Sequence, residues 1–420
     1  MQKGRVRVTS RERVLAALQH HEPDTVPIDF SGHRSSGIAA LAYARLRDHL
    51  GLQKKPIRVY DIGQQLAIVD EDVLERFGVD TIELGRGFAL ADEHWRDWIL
   101  PDGTPCQIPV WIRPEREARR WVLRSKSGRV VSHMPDGALY FEQTYYPFAD
   151  GEPDHGAIGT ILEECVDAPL ACPPGPLVEG IDGEKILAEG AHRLRARSSR
   201  AIIGLFGGNL LETAEMLYRN DNFLAMLAGD PERAEDLLER IVQLHLSNLE
   251  KMLKTVGPSI DIILFGDDLG MQTGPQMSPA TYRKFFKPRH ARMWARAKEL
   301  ADVKVMLHCC GGVRELLPDL IEAGLDAINP VQISCRGMDA RGLKRDFGGK
   351  IVFWGGGCDT REVLARGTAE EVRKHVHEQV RTMHPGGGFV FQQVHNILAD
   401  VPPQNVVAMF DAVRENPGLS

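Results

Sequence analysis

The residues with the clearest chemical potential are a histidine and a cysteine two positions apart, His308 and Cys310. They follow an apolar run, 303–307, that predicts a β-strand. Side chains two apart on a strand point to the same side, so the intervening Cys309 points away. A neighbouring imidazole and thiol suit Zn²⁺, which takes nitrogen and sulfur ligands in a tetrahedron. A core cysteine beside a hydrogen-bonded histidine is the alternative that this short spacing leaves open.

Two later residues are candidates to complete a metal site. His395 follows another apolar run, 388–391, and would face the same end of a parallel sheet. Cys358 follows three glycines, and a small buried hydrophobic side chain explains it at least as well as a ligand does. We therefore take His395 as the third metal ligand and Cys358 as a weaker candidate. The remaining cysteines have no such context and are interpreted as structural: Cys106, Cys165, Cys172 and Cys335.

Other polar residues follow the predicted strands. Asp267 and Asp268 come after 261–266 and are candidates for general acid–base catalysis, with one of the pair able to serve instead as a helix N-cap. His395 and Asn396 are further catalytic candidates. The candidates for substrate binding lie near other strand ends: His33, Arg34, Asn329 and Gln332.

The pattern that must position these residues is an alternation of strands and helices. Capping boxes at Thr9–Glu12 and Thr368–Glu371 begin two helices, and Asp230 and Ser278, each followed by proline, begin two more. Two helix-like stretches are expected to end near Gly78. The predicted strands are 26–30, 80–84, 201–206, 261–266, 303–307, 325–331, 350–354 and 388–391. The alternation predicts an α/β fold, a (β/α)8 barrel formed as a single domain over 1–420.

Residues 88–150 depart from that rhythm. Short extended runs are separated by turn dipeptides at Asp102-Gly103, Ser127-Gly128 and Asp136-Gly137. We interpret the segment as a β-meander inserted into the barrel.

Charge and hydropathy exclude several classes of protein. The formal net charge of -7 disfavours a nucleic-acid or anionic-membrane binder, because both need clustered positive charge. No apolar run approaches the length of a transmembrane helix, and no apolar segment of a secretory signal follows the basic N-terminus. Seven irregularly spaced cysteines do not form a disulfide framework, so a cytoplasmic location is expected.

Several passages together resemble the uroporphyrinogen-decarboxylase-like superfamily. They occur in the same order as in that superfamily and span nearly the whole chain. They are SRERVLAAL at 10–18 with PDTVP at 23–27, GDDLG at 266–270, HCCGG at 308–312, GGGCDT at 355–360, and VHNI at 394–397 leading to VPP at 401–403. The resemblance implies the same barrel that the strand rhythm predicts.

That superfamily includes decarboxylases and corrinoid-dependent methyltransferases. The decarboxylases carry an RQAGR motif after the first strand to hold substrate carboxylates, whereas 30–37 here has one arginine, Arg34. The methyltransferases carry HxC and a distant cysteine as a zinc site. His308 and Cys310 match the first two ligands, and His395 stands where the cysteine is expected, which implies a His2Cys variant.

The resemblance therefore implies a methyltransferase that moves a methyl group between a small methylated or methoxylated substrate and a corrinoid carried by a partner protein. It also implies zinc and a homodimer. Two alternatives stay open: a decarboxylase of a small acid that uses Asp267 without metal, and a barrel that only binds a small ligand.

Overall fold

A parallel β-sheet is the centre of the structure, a computed structural model that describes residues 8–85, 91–149, 154–165 and 182–415. Seven strands pair side by side, each parallel to its neighbour. In sheet order they are Phe389–Val390, Val352–Trp354, Ala327–Asn329, Lys304–His308, Ile262–Gly266, Ala201–Gly207 and Thr81–Glu83. These strands match seven of the predicted ones. Most of their ends lie within a few residues of the predicted ends.

The segment 26–30 joins the two edges of this sheet. Asp29 N donates to Phe391 O and Phe391 N to Pro27 O, both at 2.8 Å, while Asp80 N donates to Ile28 O at 2.8 Å. Ile28 forms a parallel bridge with Phe391. The segment thus occupies the eighth position, and the sheet closes as the predicted barrel does.

Helices follow most of the barrel strands and cover the outside of the sheet. One further helix, Ser10–Leu18, precedes the strands, and the others are Ala40–His49, Glu71–Phe77, Ile158–Cys165, Gly183–Arg197, Leu211–Tyr218, Asn220–Gly229, Pro231–Val256, Pro279–Phe285, Lys287–Leu300, Leu317–Glu322, Ala340–Phe347, Ala369–Met383 and Pro403–Glu415. Short 3-10 turns occupy Asp92–His94, His155–Ala157 and Gly257–Ser259.

The predicted helix starts are confirmed at the level of single hydrogen bonds. Thr9 and Thr368 each form a complete capping box with a glutamate three residues later. The side chains of Asp230 and Ser278 accept from backbone N–H groups in the first turn of their helices. Each cap satisfies N–H groups that would otherwise lack a partner, which fixes where the helix begins.

The inserted segment is β-rich, as the turn dipeptides predict. Its strands are Trp95–Ile99, Pro105–Pro109, Glu115–Glu117, Arg120–Arg124, Val130–Pro135 and Glu142–Gln143. Gly103, Gly128 and Gly137 have φ between +80° and +90°, a conformation that favours glycine in such turns. Parts of the predicted insertion, 88–90 and 150, lie outside the described residues, as does Cys172.

Of the two helices predicted before Gly78, one is confirmed and the other is wrong. Only Glu71–Phe77 is a helix there, whereas Ile57–Asp61 and Leu66–Ala67 are strands. Ile57–Asp61 pairs in parallel with Pro105–Pro109, so these residues belong to a sheet with the insertion. Their partner lies some 50 positions away in the chain, and local periodicity carries no information about such pairing.

The N-terminal helix covers one end of the barrel interior. Val14, Ala17 and Leu18 pack in one buried cluster with inward-facing strand residues such as Ile203 and Leu264. A second, larger apolar layer lies between the strands and the surrounding helices. Among the described residues, no helix combines the length and the apolar character needed to cross a lipid bilayer.

The C-terminal helix packs on the closing segment through aromatic rings. The ring centroid of Phe410 lies 4.8 Å from that of Phe30 and 4.6 Å from that of Phe77. All three side chains are fully buried.

We expect Phe410→Ala to lower the free energy of unfolding by about 3–5 kcal/mol, because it removes a buried ring and leaves a cavity. Urea unfolding followed by circular dichroism measures the change. A loss below about 1 kcal/mol would show that this helix contributes little to closing the barrel.

Candidate metal and acid–base site

Three potential metal ligands converge where barrel strands end. One donor atom each from His308, Cys310 and His395 lies within 4.8 Å of the other two. His308 ends the strand Lys304–His308, Cys310 follows it by two residues, and His395 lies in the loop after Phe389–Val390. The structure thus brings together the set that the sequence singled out from two distant passages.

The spacing of two of the three donors fits a single tetrahedral ion. Cys310 Sγ lies 3.3 Å from His308 Nε2, and sulfur and nitrogen ligands of one zinc ion are about 3.5 Å apart. His308 Nδ1 is occupied by a 2.7 Å hydrogen bond to Asn329 Oδ1, so Nε2 is the atom available for coordination. Cys309 points away, and its sulfur accepts a hydrogen bond from Leu269 N.

The thiol of Cys310 is held in its neutral form. Burial raises the pKa of Cys310, and the nearby carboxyl groups of Asp268 and Glu212 raise it further. A bound cation would reverse this preference, since metal ligation by cysteine requires the thiolate. The residue is therefore a poor nucleophile by itself and a good ligand for a cation.

His395 is neutral and conformationally strained. Burial lowers the pKa of His395, and the positive charges that His308, His33 and Arg34 can carry lower it further, to about 3. A neutral imidazole is the form that binds metals. Its φ is +65°, a left-handed conformation that costs a non-glycine residue about 1–2 kcal/mol. Strain of this kind is often retained at functional sites.

Asp268 lies at the edge of this cluster. Its Oδ1 accepts a 2.7 Å hydrogen bond from Cys310 N and lies 3.8 Å from His308 Nε2. Its side chain is 35% exposed, so it can reach both the cluster and solvent.

Glu212 is a site residue that sequence reasoning missed. Its Oε2 accepts from Asp268 N at 3.2 Å and from Asn209 Nδ2. Burial and the charges of Asp268 and Asp267 raise the pKa of Glu212 to about 8. It lies in the first turn of a helix just after a barrel strand, and a survey of polar residues after 201–206 would have found it.

Asp267, a candidate catalytic residue, lies behind the cluster rather than in it. It has no exposed surface, and its two oxygens accept hydrogen bonds from Leu211 N, Glu212 N and His290 Nε2. It thus holds the start of a helix that is distant in the chain, Leu211–Tyr218. Neither aspartate directly precedes a helix, so the helix N-cap considered for one of them is wrong. The buried oxygens of Asp267 are already occupied, so the structure gives it a positioning role.

Several other candidates are buried and already paired. His33 and Asn329 have no exposed surface, so the structure does not place them to touch a substrate as we predicted. Asn396 is 3% exposed and its Oδ1 accepts from Gly37 N. Cys358 is fully buried, donates to Asp359 O, and lies outside the group of converging donors.

The remaining substrate-binding candidates border the site. Gln332 is half-buried, and its Oε1 accepts from Gly311 N in the loop after Cys310. Arg34 forms an ion pair with Asp61, and its side chain is 32% exposed. Arg34 and Gln332 thus retain a surface that a substrate could contact.

We expect Asp267→Ala to destabilise the protein by about 2–5 kcal/mol, because two backbone N–H groups and an imidazole lose a buried acceptor. Asp268→Ala is the matched control, since the neighbouring carboxylate is partly exposed and should cost under about 1 kcal/mol. Urea unfolding of both variants measures the difference. Equal losses would contradict the positioning role of Asp267.

We expect the stability conferred by Glu212 to fall as the pH rises from about 4.5 to about 8. The unfolded chain releases the glutamate proton near its ordinary pKa of 4.5, while the folded protein holds the proton up to about 8. Glu212→Gln removes this penalty, so its unfolding temperature should gain on that of the wild type between pH 5.5 and pH 8.

Thermal unfolding of chelator-treated protein at both pH values measures this gain. Glu315→Gln, at an exposed glutamate, serves as the control. A difference between Glu212→Gln and the wild type that does not change with pH would contradict the raised pKa.

Comparisons with known proteins agree with this fold. The family model for uroporphyrinogen decarboxylase (URO-D) matches residues 179–416, which include His308, Cys310 and His395. A solved structure, a methyltransferase from Methanosarcina mazei, superposes with a TM-score of 0.59 at 17% identity, covering 97% of this chain and 99% of its own.

Curated relatives match over a shorter part of the chain. Uroporphyrinogen decarboxylase of Legionella pneumophila (strain Corby) is 26% identical over 193 residues, 46% of this chain and 51% of the relative. The same enzyme from Alkalilimnicola ehrlichii is 27% identical over 197 residues, 46% of this chain and 49% of the relative. The chain thus spans about half the length of these relatives. Because the family model matches more than half of the chain, the protein belongs to the uroporphyrinogen decarboxylase family.

Proposed function

We propose that the protein is a methyltransferase that moves a methyl group between a small methylated or methoxylated substrate and a corrinoid carried by a partner protein. Zinc bound by His308, Cys310 and His395 assists the transfer. The observation that carries the proposal is the convergence of these three donor atoms within 4.8 Å at the strand ends of the barrel. Active sites of (β/α)8 barrels lie at this end.

When bound, zinc would act as a Lewis acid toward the oxygen or sulfur atom that gives up or receives the methyl group. The chain's own residues would prepare that chemistry. Asn329 leaves His308 Nε2 free, and Asp268 fixes the backbone of Cys310 through its N–H. In the metal-free protein Glu212, with its raised pKa, holds a proton beside Asp268 at neutral pH.

The loop 30–37 favours methyl transfer over decarboxylation of a porphyrinogen. A substrate with many carboxylates needs several cationic side chains, whereas this loop offers Arg34, already paired with Asp61. One arginine suits a small substrate with at most one carboxylate. The likeness of nearly the entire chain to a methyltransferase barrel supports the same choice.

The corrinoid would have to reach the site from outside the chain. His308 and Cys310 are half-buried, and the side chain of His308 is 14% exposed. The strand ends around them therefore form the surface on which we propose that a corrinoid protein docks.

The first test is the metal content of protein purified without chelators or a metal-affinity tag. We expect near-stoichiometric zinc in the wild type and in Cys358→Ala, the matched control outside the cluster. Cys310→Ser and His395→Ala should lose most of the metal, because each removes one of three ligands. Elemental analysis measures the content, and circular dichroism confirms the fold.

The second part of the test is methyl transfer from methoxylated aromatic acids to cob(I)alamin, followed by the absorbance change of the corrinoid. Cys310→Ala should lose activity by at least about 100-fold, as expected when a group that stabilises developing charge is disabled, while Cys358→Ala keeps it. Full activity in Cys310→Ala, or metal-free protein that releases carbon dioxide from an acid substrate, would overturn the proposal in favour of a decarboxylase.

A further inference from the structure

Buried amide side chains behind His308 are the basis of a further inference, which rests on the proposed metal site. We propose that Asn329 and Gln392 are positioning residues that fix the proton of His308 on Nδ1, so that Nε2 is presented bare to the metal. Neither amide touches the three donor atoms themselves. Their orientation is determined by backbone groups that can only donate or only accept.

The orientation of Asn329 follows from a backbone carbonyl. Asn329 Nδ2 lies 2.9 Å from Trp354 O, which can only accept, so the amide nitrogen must face it. The same nitrogen donates to Gln392 Oε1 at 2.7 Å. Asn329 Oδ1 therefore faces His308 Nδ1, at 2.7 Å, and this short contact requires a proton on Nδ1.

Gln392 is oriented by a second backbone carbonyl. Its Nε2 donates to Ser35 O at 3.1 Å, which leaves Oε1 to accept from Asn329 Nδ2. A flip of Gln392 would set its nitrogen against the nitrogen of Asn329 and its oxygen against the carbonyl of Ser35. Both amides thus have one arrangement that satisfies their partners.

His33 confirms the direction of this network from its far end. Ser35 N, which can only donate, lies 3.2 Å from His33 Nδ1, so the proton of this ring is on Nε2. That N–H points at Gln392 Oε1, 3.1 Å away, and at Asp29 Oδ2, 3.2 Å away. The N–H of His33 thus faces two acceptors, and every hydrogen bond from His33 to His308 has a consistent direction.

Burial makes the arrangement expensive to change. Asn329, Gln392, His33 and Asp29 have no exposed surface. A flipped amide would leave its buried groups without partners, at about 1–3 kcal/mol for each group. Partners of this kind behind a ligating histidine typically change metal affinity by about 10–100-fold when removed.

The test uses two measurements on Asn329→Leu. Zinc affinity is measured by competition with a chromophoric chelator, and we expect it to fall about 10–100-fold. The tautomer of His308 is read in metal-free protein from imidazole ¹⁵N shifts, assigned with a His308→Gln variant. We expect Nδ1–H in the wild type and loss of that preference in Asn329→Leu.

Two further variants and a matched control separate positioning from general destabilisation. Asn329→Asp keeps an oxygen toward His308 and should retain its tautomer, and Gln392→Leu should have a smaller effect because Trp354 O still orients Asn329. Asn405 is equally buried and donates to Leu364 O and Gly367 O away from the cluster. Asn405→Leu should lower the unfolding temperature and leave zinc affinity and the tautomer unchanged.

An Nε2–H tautomer in the wild type, or unchanged zinc affinity and tautomer in folded Asn329→Leu, would overturn the proposal. If Asn329→Leu does not fold, the tautomer of the wild type still decides, because Nε2–H there would overturn the proposal. Zinc affinity in Gln392→Leu equal to that of the wild type would then overturn the role of Gln392. Absence of zinc binding by the wild type would refute the proposed metal site, whereas the tautomer measurement would still decide the role of Asn329.

Discussion

Closure of the barrel by the segment 26–30 is the constraint on which the site depends. This segment is attached by a few backbone hydrogen bonds, to Phe391 on one side and Asp80 on the other. Because it pairs with the last strand, the loop that follows it comes to lie against the residues after Phe391. Ser35 O can then accept from Gln392, and the network that ends at His308 is complete. An open sheet would leave Gln392 Nε2 without the carbonyl of Ser35 and would remove His33 from the network.

The electrostatic character of the site follows from the same packing. Cys310 and Glu212 are half-buried beside Asp268, and both hold their protons more tightly than they would in water. Protons thus neutralise a patch that would otherwise carry several negative charges in a medium of low polarity. A divalent cation offers the alternative neutralisation, so cation binding and proton release are coupled at this place.

The sequence allowed the barrel and the core of the site to be predicted, because both follow from local rules. Strand alternation places His308 and Cys310 on one side, and short capping motifs set the helix starts. The sequence could not show which polar residues at strand ends face the mouth of the barrel and which face its interior. Asp267 follows a strand as Asp268 does, and Asn329 ends one, yet the side chains of Asp267 and Asn329 bind partners that are distant in the chain. Glu212 was missed because it lies in the first turn of a helix, several residues beyond the end of its strand, where only a wider search after 201–206 includes it.

The presence of a histidine at 395, where the resemblance leads one to expect a cysteine, has a physical consequence. Two neutral imidazoles and one thiolate neutralise only half of the charge of a divalent ion, whereas a second thiolate would neutralise all of it. The His2Cys set that we propose would therefore leave a stronger Lewis acid and a weaker electron donor than two thiolates would. Such a centre is better suited to stabilising an oxygen leaving group than to making a bound thiol nucleophilic. The low pKa of His395 keeps its imidazole neutral at physiological pH, the form that binds a metal.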